Sequence, residues 1–390
     1  MEVKVPDCGE QGNTEACFPI SNGVATQEAD IQLAWSRMSK YSSNRPLAYA
    51  KPRTVPRTRP TSSTGTTSTG TTGTTSTTGS TGTTSTTDST PTTGTTTTTT
   101  TTSSATKKQW GAFLPNSAAS DVASLEATVG APLNIRAVFV GWGSGAGDFP
   151  SWLTSTLQSG NKTLMIYWEP AANGDTGTIY QPNYNYDSIN SGAWDSYIIS
   201  FAKSVKNYGG QVIMIPFDEM NGDWYPWSGT NNNNSPAKHN VAYQRLHDLF
   251  AAQGVTNVKW GWAPNNDSWP NTAANDLTMY YPGDAYVDYV GVDGFNFNNP
   301  WLSFTQVFGT ALGKLARYNK PIYIFSMASA EANDGGTKKA AWITDAFSQI
   351  AKNPNIAGWV WFNENKEQNW LLNSNTNVLN AFSTIVKSYK

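Results

Sequence analysis

Apolar runs of strand length alternate with amphipathic helical segments from about residue 107 to the end of the chain. Helical periodicity covers Asp187–Asn207, Ala237–Gln253, Ser303–Tyr318 and Lys338–Lys352. The apolar runs predict strands at Trp110–Leu114, Ile135–Gly141, Thr163–Trp168, Gln211–Phe217, Val258–Ala263, Val287–Val292, Pro321–Phe325 and Ile356–Phe362. Continuously apolar strands are typical of parallel strands buried on both faces. Eight of them, each followed by a helix over roughly 280 residues, predict an α/β fold of the (β/α)8 TIM barrel type.

The sequence before the barrel has a different character. Residues 1–60 contain one amphipathic helix at Gln27–Lys40 and a basic, proline-rich stretch from Arg45 to Pro60, and do not predict an independent globular domain. Residues 61–106 are almost wholly Thr, Ser and Gly, which cannot bury apolar surface to offset chain entropy. We interpret this stretch as a linker, disordered or O-glycosylated. The predicted regions are therefore 1–60, 61–106 and 107–390.

Composition narrows the functional classes. A formal net charge of -2 gives no reason to expect a nucleic-acid partner, and no apolar run is long enough for a transmembrane segment. The Thr/Ser-rich tether indicates an extracellular protein, secreted or attached to a cell surface. We expect residues 1–60 to attach the barrel to a surface or to self-assemble. The cysteines, Cys8 and Cys17, leave a local disulfide open.

Polar and aromatic side chains follow the predicted strands, at the ends where barrel enzymes carry their chemistry. Carboxylates can move protons and flat rings can stack on pyranoses, so this set indicates a polysaccharide cleft, although an Asp–Glu pair can also simply cap a strand. Because no Gly-x-Gly-x-x-Gly turn follows the first strand, we expect no dinucleotide cofactor. We also expect no metal, with His239 and His247 on the surface. The candidate site residues at the strand ends are Trp168, Glu169, Asp218, Glu219, Asn221, Trp224, Trp227, Asn265, Asp293, Asn296 and Trp361.

Side-chain direction refines these candidates. Trp224, Trp227 and Trp361 are the expected sugar-stacking rings. We expect Trp260 and Trp359 to face the surrounding helices, opposite Trp262 and Trp361. Asp218 and Glu219 are adjacent, so strand alternation predicts that they point to opposite faces.

Three sequence blocks carry a resemblance to glycoside hydrolase family 26. The block Phe217–Trp227 resembles the strand-four signature of that family, Trp262–Asn265 its strand-five end, and Tyr280–Asn296 its strand-six block. The resemblance covers the barrel from about Trp110 onward and none of residues 1–104. It implies a (β/α)8 fold and a retaining β-glycanase acting on β-mannan or mixed-linkage β-glucan.

The resemblance also implies residue roles. Glu219 matches the general acid/base, while the nucleophilic glutamate expected at the end of strand seven is matched by Ser326. Asp218 and Ile215 stand where the family has His and Arg. A serine hydroxyl cannot replace a carboxylate at an oxocarbenium-like centre. The nucleophile is therefore missing from its expected position.

Three explanations of Ser326 remain open. The chain carries an engineered Glu→Ser replacement, or it is a natural relative that binds glycan without hydrolysis, or another acid serves, with Glu331, Asp293 or Glu169 as candidates. The departures at Ile215 and Asp218 favour the second. We therefore expect a barrel that recognises β-linked polysaccharide with impaired or no hydrolysis. The alternative is a tethered surface or fibre protein whose barrel is a carbohydrate-binding or structural head.

Overall fold

A computed structural model describes residues 108–115, 118–143 and 162–388. Within them, parallel strands pair in sequence order and close into a barrel, with the first strand hydrogen-bonded to the last. The closed parallel arrangement confirms the predicted (β/α)8 fold. The strands are β1 Gln109–Phe113, β2 Ile135–Gly141, β3 Thr163–Glu169, β4 Val212–Pro216, β5 Val258–Trp262, β6 Tyr289–Asn296, β7 Ile322–Ser329 and β8 Ile356–Phe362.

Helices cover the outside of the barrel. Short 3₁₀ turns lie in the connections, including Ala172–Gly174, Leu277–Tyr280 and Ala316–Tyr318. The described α-helices are α1 Ala119–Val129, α2 Tyr186–Asn190, α3 Asp195–Tyr208, α4 Pro236–Ala252, α5 Phe304–Leu315, α6 Thr337–Lys352 and α7 Thr376–Lys387.

Local capping chemistry sets several helix ends. Ser303 and Gln306 form a reciprocal capping box at the start of α5, and Ser235 caps α4 through the Lys238 N–H. The prediction of one continuous helix over Asp187–Asn207 is wrong, because a turn between α2 and α3 divides this segment into two helices. Gly192 there has a φ of 88°, which a helix cannot contain.

Tryptophans form the contact layer between the strands and the helices. Trp260 packs on Tyr243 and Phe250 of α4, while Trp262 packs on Tyr281 and Tyr318. Residues two apart on a strand share a face, so the expectation that Trp260 and Trp262 point in opposite directions is wrong. Both indoles face outward, and the face of β5 that carries Gly261 points into the barrel interior.

The two-residue repeat of side-chain direction also applies to the tryptophans of β8. Trp359 packs on Phe347 and Phe382, and Trp361 packs on Trp342 and Phe382, so both indoles face α6 and α7. The expectation that Trp361 faces the cleft is therefore also wrong. The tryptophans on these strands stabilise the strand–helix interface instead of lining a groove.

Large rings also fill the barrel interior. Tyr323 and Phe325 stack with ring centroids 5.6 Å apart. A Cβ at Gly291 would lie 2.3 Å from the Phe325 ring, so this strand position has to be glycine for the ring to fit. The floor beneath the strand ends is thus closed by packed side chains.

Several predictions fall on other parts of the chain. Regions 1–60 and 61–106, the helix at Gln27–Lys40 and the cysteines lie outside the described residues and stay predictions. Among the described residues, no helix has the length and apolar character needed to cross a membrane.

Candidate active site

A strained turn follows β4 and carries two adjacent acids. Phe217 and Glu219 have φ angles of 58° and 51°, a region that bulky residues rarely adopt, at a cost of about 1–3 kcal/mol each. Asp218 and Glu219 both line the same cavity. The expectation that they point to opposite faces is wrong, because side-chain alternation holds only in extended strand and β4 ends at Pro216.

Glu219 is held at both carboxylate oxygens. The Trp224 Nε1 donates to Oε2 at 2.8 Å, and the Asn265 Nδ2 donates to Oε1 at 3.0 Å. The residue is only 3% exposed. Two neutral donors therefore fix the direction of this carboxyl group without forming an ion pair with it.

A network of amides and one indole supports the turn from behind. Asn221 Oδ1 accepts from the Asn265 main-chain N–H at 2.8 Å, and Asn221 Nδ2 donates to the Asn265 carbonyl at 3.0 Å. Trp227 Nε1 donates to the Asp218 carbonyl at 2.7 Å. These bonds join the ends of β4 and β5 and offset the backbone strain of the turn.

An irregularity in β7 aims residue 326 at the same cavity. Val292 pairs with Ile324, but the next residue, Asp293, pairs with Ser326, so Phe325 is skipped in the ladder. A second register shift on the β8 side lies between Ile324 and Met327. Bulges of this kind re-aim side chains beside active sites. Phe325 fills the interior, and Ser326 lines the cavity.

Tyr167 lies among the acids at the floor of the site. Its hydroxyl donates to the Phe325 carbonyl at 2.6 Å and hydrogen-bonds the Ser326 side chain. Burial raises the pKa of Tyr167 well above its ordinary value, and the negative charges of Asp293, Asp218 and Glu219 raise it further. The hydroxyl therefore stays protonated, with its hydrogen on the Phe325 carbonyl and its oxygen accepting from Ser326.

The cavity is open at one side, and the space between its walls, open solvent included, is about 850 Å³. Thr176, Ser326 and Lys366 contribute to its wall. Its acidic residues are Glu169, Asp218, Glu219, Asp293, Glu364 and Glu367, and its rings are Phe113, Phe139, Tyr225, Phe295, Phe297, Phe362 and Trp370.

Negative charge dominates this wall, with Lys366 as the cation that lines it. Burial raises the pKa of Glu364, against the lowering effect of Lys366, and the neighbouring Glu367 raises it as well. Crowding of carboxylates in a dry cavity favours holding protons. The carboxyl group of Glu364 therefore keeps its proton to a higher pH than a free glutamate does.

The structure brings together only part of the predicted site. Glu169, Asp218, Glu219, Asp293 and Ser326 line one cavity. Trp168, Trp227 and Trp361 are fully buried and lie outside its wall, so the prediction that they contact a sugar is wrong. Trp168 packs outward on Phe201 and Phe250, because its strand position faces the helices.

The predicted amides act on the protein itself. The Asn221 amide is used by Asn265, and Asn296 donates to Ser329 at 2.9 Å and accepts from the Leu302 N–H at 2.8 Å. Asn265 and Trp224 contact Glu219. All four were predicted to bind substrate. The hydrogen bonds of Asn265 and Trp224 position Glu219, while those of Asn221 and Asn296 join strand ends and loops outside the cavity wall.

Glu331 is not part of the site. It accepts a hydrogen bond from Ser374 and lies 3.5 Å from the buried Lys339 ammonium, and it does not line the cavity. Of the three acids proposed as substitutes for the nucleophile, only Asp293 and Glu169 therefore reach the cavity.

His239 is fully buried, so its predicted place on the surface is wrong. Its ring packs among Tyr186, Phe217 and Tyr280, and burial lowers its pKa to about 4. It is a neutral core residue beneath the strained turn. In the described ranges, no group of His, Cys, Asp and Glu side chains is arranged to hold a metal ion.

Several cavity residues were missed from the sequence. Glu364, Lys366, Glu367 and Trp370 follow β8, and a charge-bearing segment directly after a strand was a usable signal. Phe113 and Phe139 could not be recognised from the sequence, because a ring that lines the cavity and a ring in the core look the same in an apolar strand.

Comparison with known proteins agrees with this geometry. The model of glycosyl hydrolase family 26 matches residues 158–383. Endoglucanase H of Acetivibrio thermocellus is 37% identical over 275 residues, 67% of this chain and 28% of that protein. A mannan endo-1,4-beta-mannosidase of Bacillus subtilis is 28% identical over 145 residues, 36% of each protein. The chain thus spans about a third or less of these relatives.

Solved structures share the fold. A Bacillus subtilis mannanase, BCman, superposes with a TM-score of 0.54 at 18% identity, covering 72% of this chain and 85% of that one. The catalytic domain of a Bacillus sp. JAMB-750 endo-beta-1,4-mannanase gives 0.55 at 18% identity, covering 73% and 86%. The family model covers more than half of the sequence and includes the strained turn and the β7 bulge, so the chain belongs to glycosyl hydrolase family 26.

Proposed function

We propose that the barrel binds a β-linked glucan or mannan in the cavity at its strand ends. One observation carries the proposal: Glu219 is held by Trp224 and Asn265 at the wall of a ring-lined cavity, in a chain of glycosyl hydrolase family 26. The half-buried rings of Phe295 and Phe297 offer faces on which a pyranose can stack. The names of the relatives, an endoglucanase and mannanases, support these two sugars.

Glu219 is the proton donor in this proposal. Its oxygens are oriented by two neutral donors, and its carboxyl group stands at the cavity wall, as protonation of a glycosidic oxygen requires. A retaining glycosidase also needs a carboxylate nucleophile about 5–5.5 Å from the acid. The bulge in β7 directs Ser326 into the cavity, and the family resemblance implies a glutamate nucleophile at this position. We infer that the retaining route is impaired in this chain.

The test uses the full chain, its Ser326→Glu variant and the double variant Ser326→Glu/Glu219→Gln. Each is assayed for binding to mannan, mixed-linkage β-glucan and cellulose and for release of reducing ends. We expect all three to bind one of these glycans and only Ser326→Glu to hydrolyse it rapidly. Absence of binding and of hydrolysis with every variant on every glycan contradicts the proposal.

A binding head on a tethered surface protein is the second candidate. Ser326 in place of an acid favours it, since binding alone needs no nucleophile. The Thr/Ser-rich sequence of residues 61–106 supports an extracellular, O-glycosylated tether, and residues 1–60 would then attach or assemble the protein. Fractionation of the source cells with glycan staining tests this. An unglycosylated protein recovered only inside the cells contradicts it.

A further inference from the structure

Asp293 stands directly beside Ser326 in the wall of the cavity. The two residues are paired in the β6–β7 ladder, and both line the cavity. We propose that Asp293 is the general base of an inverting hydrolysis, in which a water molecule seated on Ser326 attacks the anomeric carbon. This inference rests on the proposed function and adds to it a reaction course and a further catalytic residue.

The position of Asp293 distinguishes it from the other acids. In a closed barrel of eight strands, β3 is opposite β7, so Glu169 is placed across the cavity from Ser326. Asp218 belongs to the same turn as Glu219 and therefore stands on the side of the proton donor. Asp293 is on β6, next to β7. Glu364 and Glu367 follow β8, on the other side of β7, and lie beyond its last residue. Asp293 is thus the cavity acid that is paired in the ladder with Ser326 itself.

The spacing also fits. Neighbouring strands are about 4.8 Å apart, so a water hydrogen-bonded to Ser326 lies within reach of the carboxylate paired with it. Glu219 follows β4, two strands from β6, which corresponds to on the order of 10 Å along the curved wall and less in a straight line. Inverting glycosidases separate their carboxyl groups by roughly 6.5–9.5 Å to make room for the attacking water. Serine is shorter than glutamate and leaves that room beside Asp293.

The Ser326 hydroxyl would orient the water, and Tyr167 fixes the direction of Ser326. The Tyr167 hydroxyl hydrogen-bonds Ser326 and lies close enough to Asp293 to be affected by its charge. A backbone bridge between Asn265 and Asp293 links the base to the residue that holds Glu219. The base, the water site and the acid are therefore connected through the ends of β4, β5, β6 and β7.

The reaction balances as a single displacement. Asp293 accepts one proton from water as the water oxygen bonds to the anomeric carbon. The glycosidic C–O bond breaks on the opposite face, and Glu219 gives its proton to the leaving oxygen. A β-glycoside thus yields an α-hemiacetal and an alcohol, and solvent returns the protons.

The experiment follows product stereochemistry by ¹H NMR during hydrolysis of a 2,4-dinitrophenyl β-glycoside of the bound oligosaccharide. The parent chain is expected to release the α-anomer and Ser326→Glu the β-anomer. Asp293→Asn is expected to lower kcat of the parent by about 10²–10⁴-fold, the usual effect of losing a general base, with oligosaccharide affinity retained. Asp345→Asn, on the exposed face of α6, is the matched control.

The outcomes separate this inference from the proposed function. A β-product from the parent, or a parent rate unchanged by Asp293→Asn, overturns the role of Asp293. A parent that is inert on the activated substrate while Ser326→Glu is active also overturns it, and leaves the proposed function standing. Absence of binding and hydrolysis in both overturns the proposed function itself. Folding of each variant is checked by its thermal transition.

Discussion

The side-chain amide of Asn265 lies 3.0 Å from Oε1 of Glu219, and the main-chain N–H of Asn265 is bound to Asn221, two residues after Glu219. One residue at the end of β5 therefore fixes both the carboxyl group and the turn that carries it. The acid is aimed by contacts between strand ends that are 46 residues apart in sequence.

Replacing Asn265 by Ala should lower hydrolytic kcat/KM of the Ser326→Glu variant about 10- to 100-fold. The reason is loss of a hydrogen bond to an ionisable group, which contributes about 1.5–3 kcal/mol. Steady-state kinetics on the bound glycan measure this. Asn266→Ala removes a neighbouring amide that bonds the Val307 carbonyl instead, and it should have little effect on the rate. Equal losses for the two variants would contradict the positioning role.

Trp224→Phe should lower kcat in the same background while leaving oligosaccharide affinity within a few fold. The substitution keeps a ring but removes the Nε1 donor to Oε2 of Glu219. Trp227→Phe instead removes the bond to the Asp218 carbonyl, so it should lower the thermal transition temperature. Binding isotherms and thermal unfolding distinguish the two effects. A large affinity loss in Trp224→Phe would indicate direct sugar contact instead.

The free energy of unfolding should decrease as the pH is lowered between the folded-state and unfolded-state pKa values of His239. Burial holds its pKa at about 4 in the folded protein, below the value near 6.5 of an unfolded chain. Between these values the unfolded state binds the proton and the folded state does not. The free energy of unfolding should therefore decrease as pH falls from 6.5 to 4, by on the order of 3 kcal/mol.

Urea unfolding of His239→Gln across the same pH range tests this, because the variant should lose most of that slope. The matched control is His247→Gln, whose ring is half-buried beside Asp248 on the same helix. It should keep the slope of the parent. An unchanged slope in His239→Gln would contradict the assignment.

Lys339→Met should destabilise the fold by more than about 2 kcal/mol and weaken glycan binding. The buried ammonium donates to the Asn369 and Leu371 carbonyls at 2.8 and 2.9 Å, which fixes the loop that carries Trp370 into the cavity wall. Removing it leaves those acceptors without a partner. Lys338→Met, beside it with its ammonium over the Trp301 ring, should change stability by less than about 0.5 kcal/mol. Similar losses in both would contradict this role.

The periodicity of the sequence predicted the barrel because apolar strands and amphipathic helices are local patterns. Periodicity did not predict the geometry of the site, because that geometry depends on a strained turn and a bulge and not on regular strands. Asp218 and Glu219 share a cavity only because Phe217 and Glu219 adopt positive φ angles, which the sequence of the turn does not specify. Trp359 and Trp361 are two residues apart on β8 and so share its outer face, a placement that the period of a strand dictates. The bulge that skips Phe325 depends on pairing with two other strands and has no local signature.

That bulge has a consequence for how the chemistry of this barrel can change. Because both neighbouring ladders shift register at β7, the main chain, and not the side chain, decides where residue 326 points. A carboxylate, a hydroxyl or a thiol at this position would therefore point into the same cavity, and the length of the side chain decides whether it or a bound water reaches the sugar. One substitution could thus convert a single scaffold between cutting a glycan, trapping it and joining two sugars from an activated donor, without redesign of the fold.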